Sequence, residues 1–124
     1  MANEKTVSIT LSVKNGDLDR TSKVNNLKLD QTNARAASDT QTVGTTEELL
    51  AVGDLTTPAE CYLRNLDATN FVTVGVKPAS TYYPVFRLKA NSKMPLCGLI
   101  ESGVSLYVKA DTAACDIDKL ILDE

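Results

Sequence analysis

The stretch Thr6 to Val13, TVSITLSV, alternates without a break. Val7, Ile9, Leu11 and Val13 fall on one side; Ser8, Thr10 and Ser12 fall on the other. Side chains repeat every second residue only on an extended strand, so the pattern specifies a strand with one face covered. Asn15-Gly16 follows at once, a strong turn signal between paired strands. Lys23 to Asp30 is the matching strand, with Leu27 and Leu29 on one face. Asn25-Asn26 breaks the alternation back to Val24, which predicts a bulge there.

The same period returns down the chain. Cys61-Tyr62-Leu63-Arg64 follows Pro58. In Phe71 to Val76 the residues Val72, Val74 and Val76 point one way. Tyr82 to Ala90 alternates with Phe86, Leu88 and Ala90 in one set, and Pro84 marks it as an edge strand or delays its start. Met94 to Ile100 is apolar but interrupted by Pro95 and Gly98. Val104 to Ala110 alternates again, and Ile117 to Leu122 is a compact apolar strand near the end. Glu47 to Val52 reads as a helical turn or a short strand, closed by Gly53. Gln31 to Thr46, QTNARAASDTQTVGTT, has few apolar residues and is expected at the surface as a polar arm or long loop. About eight short strands and no long helical pattern make a β-sandwich or a barrel.

A chain of 124 residues suits one domain and buries enough surface to hold a core without cross-links. The reading is therefore a single domain over 1–124, with the arm around 31–46. The formal charge of −3 argues against nucleic acid and against an anionic membrane surface. No apolar run approaches the roughly 20 residues of a membrane-crossing helix. The stretch Met1 to Lys5 has no signal-peptide character, which points to synthesis in the cytoplasm. Cys61, Cys97 and Cys115 are odd in number and widely spaced, so all three are expected reduced.

The chain has no His. That removes Ser-His-Asp and Cys-His nucleophiles and the commonest transition-metal ligand. The cysteines form no C-x-x-C pair, and no phosphate-binding glycine motif occurs. Asp17 and Asp19 in NGDLD, and Asp116 and Asp118 in DIDK, have the alternate spacing of a calcium loop but not the full pattern, and solvated carboxylates are the expected reading. Sugar binding on an aromatic platform is the stronger rival. Tyr62, Tyr82, Tyr83 and Tyr107 are the available rings, and adjacent Tyr82 and Tyr83 face opposite sides of a strand. Packing in the core or at a subunit contact is the simpler role for them. No catalytic residue, cofactor or metal is expected, and the chain does not read as an enzyme.

Three segments of the second half carry a resemblance. YLRNLDATNFVTVGV precedes YYPVFRLKANSKMPLCGL, and LYVKADTAACDIDKLILDE follows; upstream lies QTVGTTEELLAVGDL. This order, over about Gln41 to Glu124, resembles small virion structural proteins of tailed phages and prophages. The Asn-Leu-Asp-x-Thr-Asn strand entry and the Ala-Asp-Thr-Ala-Ala segment are its most specific parts. The resemblance implies an all-β, jelly-roll-like β-sandwich located in the virion. It carries no catalytic residues. The expected role is a capsid decoration (cement) protein that binds the outer face of the shell, with the major capsid protein as partner. A homo-oligomer, with a trimer favoured, is expected because Phe71–Val76 and Ile117–Leu122 each offer two apolar faces. A tail or baseplate component, or a receptor-binding module for host glycans, is the alternative. On either reading the polar run Asn65 to Asn70, and its counterpart in VKADTAACDID, are turns whose Asn and Asp side chains bond the local backbone.

Overall fold

A computed structural model describes residues 3–92 and 94–124. The fold is all-β, with ten strands among these residues, every pairing antiparallel. Where the sequence reads as one domain, the chain divides into two compact units, Met1–Ala34 and Arg35–Glu124.

The first unit is a long hairpin of β1 (Lys5–Asn15) and β2 (Leu18–Leu29). Asn15 pairs with Leu18, leaving a two-residue turn with Gly16 at φ +58°, a conformation that suits glycine. The register slips between Val7 and Ile9. Ser8 there faces both Asn25 and Asn26; Asn26 has φ +54°, and its N–H donates to Ser8 Oγ at 3.0 Å. This is the bulge expected from the broken alternation. Its extra residue returns Leu27 to the face of Val24. Cross-strand partners share a face, so Val7, Ile9, Leu11 and Val13 stand with Leu18, Val24, Leu27 and Leu29. The opposite face is polar throughout, with pairs such as Thr6–Lys28, Thr10–Lys23, Ser12–Thr21 and Lys14–Asp19.

The second unit is a sandwich of two four-stranded sheets. One has the order β3 (Ala36–Val43), β10 (Cys115–Asp123), β5 (Pro58–Asn65), β8 (Leu96–Leu99). The other has the order β4 (Glu48–Leu49), β9 (Tyr107–Ala110), β6 (Val72–Val76), β7 (Tyr83–Leu88). The pairings nest: β6 with β7, β5 with β8, β4 with β9, β3 with β10. The unit is thus one long antiparallel ribbon folded about the β6–β7 connection. Wrapping the ribbon lays β10 beside β5 and β9 beside β6, which is the jelly-roll-like arrangement.

Both sheets contribute to one core. Val43, Leu63, Ile117 and Ile121 from the first meet Val72, Val74, Leu88 and Val108 from the second, all at or near zero exposure. Fully burying such side chains contributes about 1.5–3 kcal/mol each, which is what holds the sheets face to face. Ile117 to Leu122, read as a compact apolar strand, lies within β10, where every second residue from Cys115 to Asp123 is buried.

The expectation of an arm at 31–46 is corrected. Ala36–Val43 is strand β3, paired with β10 along its whole length. Its inward residues are Ala37, Asp39, Gln41 and Val43, opposite Ile121, Lys119, Ile117 and Cys115. Polar residues occupy the core side of this edge strand because Lys119 needs acceptors there. Glu47–Val52, open between a helical turn and a strand, holds the short strand β4. Tyr83–Leu88 is an edge strand, as Pro84 requires.

Candidate interaction surfaces

The turn Asn65–Asn70 is structural. Asn65 is buried, and its amide nitrogen donates to the carbonyls of Asn70 (2.8 Å) and Leu88 (3.1 Å). Its Oδ1 accepts from the Asp67 N–H at 2.9 Å. Asp67 in turn accepts from the N–H groups of Asn70 (2.6 Å) and Thr69 (3.0 Å). These donors hold the Asp67 carboxyl below its ordinary range against a smaller upward push from burial. Thr112, in the turn before β10, donates to Asn70 Oδ1 at 2.7 Å, so the two polar turns brace each other.

The remaining perturbed groups are also fixed in place. Burial pushes the Asp123 carboxyl up, but four bonds from Thr56 and Thr57 together outweigh it, and the group lies below its ordinary range. Lys119, 2% exposed, donates to Gln41 Oε1 (3.0 Å) and the Ala51 carbonyl (2.5 Å) and lies 3.3 Å from Asp39. Burial pushes the Cys61 thiol up to about 12, with Cys97 adding to the rise and Lys119 opposing it. Burial, then nearby Asp67, Asp111 and Asp116, raises Cys115. All three cysteines are free thiols; Cys97 is exposed. The raised thiols of buried Cys61 and Cys115 are not activated as nucleophiles.

Asp17 sits in the hairpin turn and Asp19 pairs with Lys14, while Asp116 accepts from Thr42 Oγ1 at 2.6 Å. Among the described residues no three His, Cys, Asp or Glu side chains gather as a metal would require. Tyr62 lies between buried Cys61 and Leu63 and therefore faces outward on its sheet. On the other sheet Tyr82 shares a 2.8 Å hydrogen bond with Thr73, and Lys77 lies 5.7 Å from the ring centre of Tyr107. The Arg87 guanidinium stacks 4.0 Å from the centre of the Phe71 ring. Tyr62 is thus separated from Tyr82 and Tyr107 by the thickness of the sandwich, and the four rings make no single platform.

What the molecule displays instead is apolar surface. On the hairpin, Ile9, Leu11, Val13, Leu18, Val24 and Leu27 are all exposed, Leu11 by 70%. A two-stranded ribbon is at best marginally stable in water unless something covers its apolar face. On the sandwich, a groove of about 410 Å³ opens between the edge strands β7 and β8. Phe86 stands opposite buried Val74 yet is 53% exposed. The cause lies across the groove: Gly98 pairs with inward-facing Cys61, so the position that should plug this side of the core carries no side chain. A Cβ built on Gly98 meets nothing within 4 Å. Leu96, Ile100, Val104 and Leu106 complete an apolar lining whose charged member is Glu101.

The hairpin strands were readable from the sequence; the groove was not, because an isolated Gly in a strand signals close approach or a bulge as readily as a gap. No protein-family model, curated protein or solved structure matches the chain.

Proposed function

We propose that the protein is a structural component of a bacteriophage virion, a capsid decoration protein that binds the outer face of the shell and stabilises it. The observation that carries this reading is the hairpin: two long strands with eight aliphatic residues on one face and only polar residues on the other. Such a face needs another surface to cover it, which is a design for adhesion. The order of motifs over Gln41 to Glu124 supports the placement in a virion. Many copies, each adding a modest contact to the major capsid protein and to its neighbours, would stabilise a shell through multivalent burial. The assembly on this reading is a homo-oligomer, with three copies favoured.

The test is to measure copy number in purified particles by quantitative mass spectrometry and to locate the protein by electron cryo-microscopy. Copies comparable in number with capsid subunits, lying on the outer shell, are the expected result. A handful of copies on the tail would overturn it in favour of a tail or baseplate role. The receptor-binding alternative draws on one observation, the outward cluster of Tyr82, Tyr107 and the Phe71–Arg87 stack. Specific retention on a glycan array, abolished by Tyr107→Ala, would favour it.

A further inference from the structure

We infer that the hairpin of one copy docks on the β7/β8 groove of a second copy, so that the chain assembles head to tail through two different surfaces. The inference rests on the oligomeric part of the proposed function and is independent of the shell.

The donor surface is extended and apolar. The exposed parts of Ile9, Leu11, Val13, Leu18, Val24 and Leu27 amount to on the order of 500 Å². That is near the upper end of the largest patch on a typical monomer, and such patches mark interaction sites. The acceptor is concave and apolar. It lies between β7 and β8, the edge strands of their sheets among the described residues. Open edges beside an apolar trough favour pairing with another extended segment.

Charge fits the same partner. Arg20 stands beside Val13 on the aliphatic face, and Glu101 is the charged residue of the groove. Over residues 1–34 there are five Lys and Arg against four Asp and Glu; over 35–124 there are eight against twelve. A slightly basic hairpin thus meets an acidic sandwich, whereas two hairpins face to face, or two sandwiches, would bring like charges together. Contacts between unlike surfaces close into a ring when the rotation allows, and a three-membered ring is the small closed case that matches the favoured trimer.

Two substitutions separate the surfaces. Gly98→Leu fills the groove; its Cβ meets open space and Gly98 has no positive φ, so the sandwich keeps its fold. Leu11→Asp spoils the donor in a unit separate from the sandwich. Sedimentation of the full-length protein should show an oligomer that either variant shifts at least tenfold toward monomer, with the thermal unfolding of the sandwich unchanged. In Leu11→Cys/Phe86→Cys protein, mild oxidation should join position 11 of one copy to position 86, on the groove wall, of another. Mixing isotopically heavy and light copies identifies that cross-copy link. A monomeric wild type, an oligomer indifferent to both variants, a link only within one copy, or a link only between two hairpins would each overturn the inference. The first two outcomes leave the virion location standing; a tail location leaves the docking standing. If Gly98→Leu unfolds the protein, Leu11→Asp and the link still decide.

Discussion

Lys119 is a full charge buried in a small core, and replacing it tests how that core tolerates it. The side chain stands on the central strand β10 and reaches toward the edge strand β3 and the segment after β4. Lys119→Met keeps the aliphatic stem and removes the ammonium. The ion pair with Asp39 adds little, because Asp39 is 63% exposed and such pairs contribute about 0–1 kcal/mol. Gln41 Oε1 stays satisfied, since it also accepts the Ala51 N–H at 3.0 Å. The Ala51 carbonyl loses its lysine donor, which costs about 1–3 kcal/mol. Relief from burying the ammonium offsets part of that. The net expectation is a loss of about 2 kcal/mol, or a fall of about 10 °C in Tm for a unit of this size. Lys119→Ala also removes buried methylenes, at about 0.8 kcal/mol each, so its loss should reach about 4 kcal/mol. Urea unfolding followed by far-ultraviolet circular dichroism measures both. If Lys119→Met is as stable as the wild type or more so, the hydrogen bonds of the ammonium do not outweigh its desolvation and the reasoning fails. Asp39→Asn, by the same ledger, should change stability by under about 1 kcal/mol.

Gly75→Ala would place a Cβ 2.0 Å from the Tyr83 carbonyl oxygen and 2.7 Å from Pro84 Cα, so β6 and β7 must separate; a loss of at least about 2 kcal/mol is expected in the same urea assay. Asp67 and Asp123 have carboxyls lowered in the folded state, so their contribution is complete above the unfolded carboxylate pKa of about 3.9 and is lost as pH falls through the lower folded values. Melting scans between neutral pH and strong acid should show this fall, and it should be shallower in Asp123→Asn, whose stability at neutral pH is already reduced. Deleting residues 33–40 removes five of the eight residues of β3 and should unfold the sandwich, leaving no cooperative transition; a native-like transition would restore the arm reading. Brief alkylation of native protein should label exposed Cys97 and spare buried Cys61 and Cys115 until denaturant is added, as peptide mass mapping would reveal.

How much of this was legible in the sequence depends on what each residue signals. Val7, Ile9, Leu11 and Val13 announce a strand and a face, and Asn25-Asn26 announces the bulge, because both follow from local backbone geometry. Pro84 announces an edge for the same reason. The turn at Asn65–Asn70 was readable because Asn and Asp bond their own neighbourhood. Strand β3 was hidden because its inner positions hold Asp39 and Gln41, and their reason is a lysine almost eighty residues away. Periodicity reports which side chains share a face but not what covers that face, so the hairpin read as part of one domain. The groove depends on Gly98 meeting Cys61 across a strand pair, a relation that exists only once the sheet is built.

The nesting of the strand pairs also fixes an order of events during synthesis. The β6–β7 pair closes a short loop, whereas β3 waits for β10, so Val43 must meet Cys115 across most of the sandwich unit. Pairings this distant in sequence close slowly, and the partner that completes them, β10, follows every other strand of the sandwich. Until β10 leaves the ribosome, β3 and β5 lack the strand that lies between them. The hairpin precedes the sandwich along the chain and has all its pairings within 34 residues, so its register needs nothing from β10. Every nascent chain therefore carries an exposed aliphatic ribbon ahead of an open, unfinished sheet, and loss of β10 would leave that sheet without the strand that joins β3 to β5.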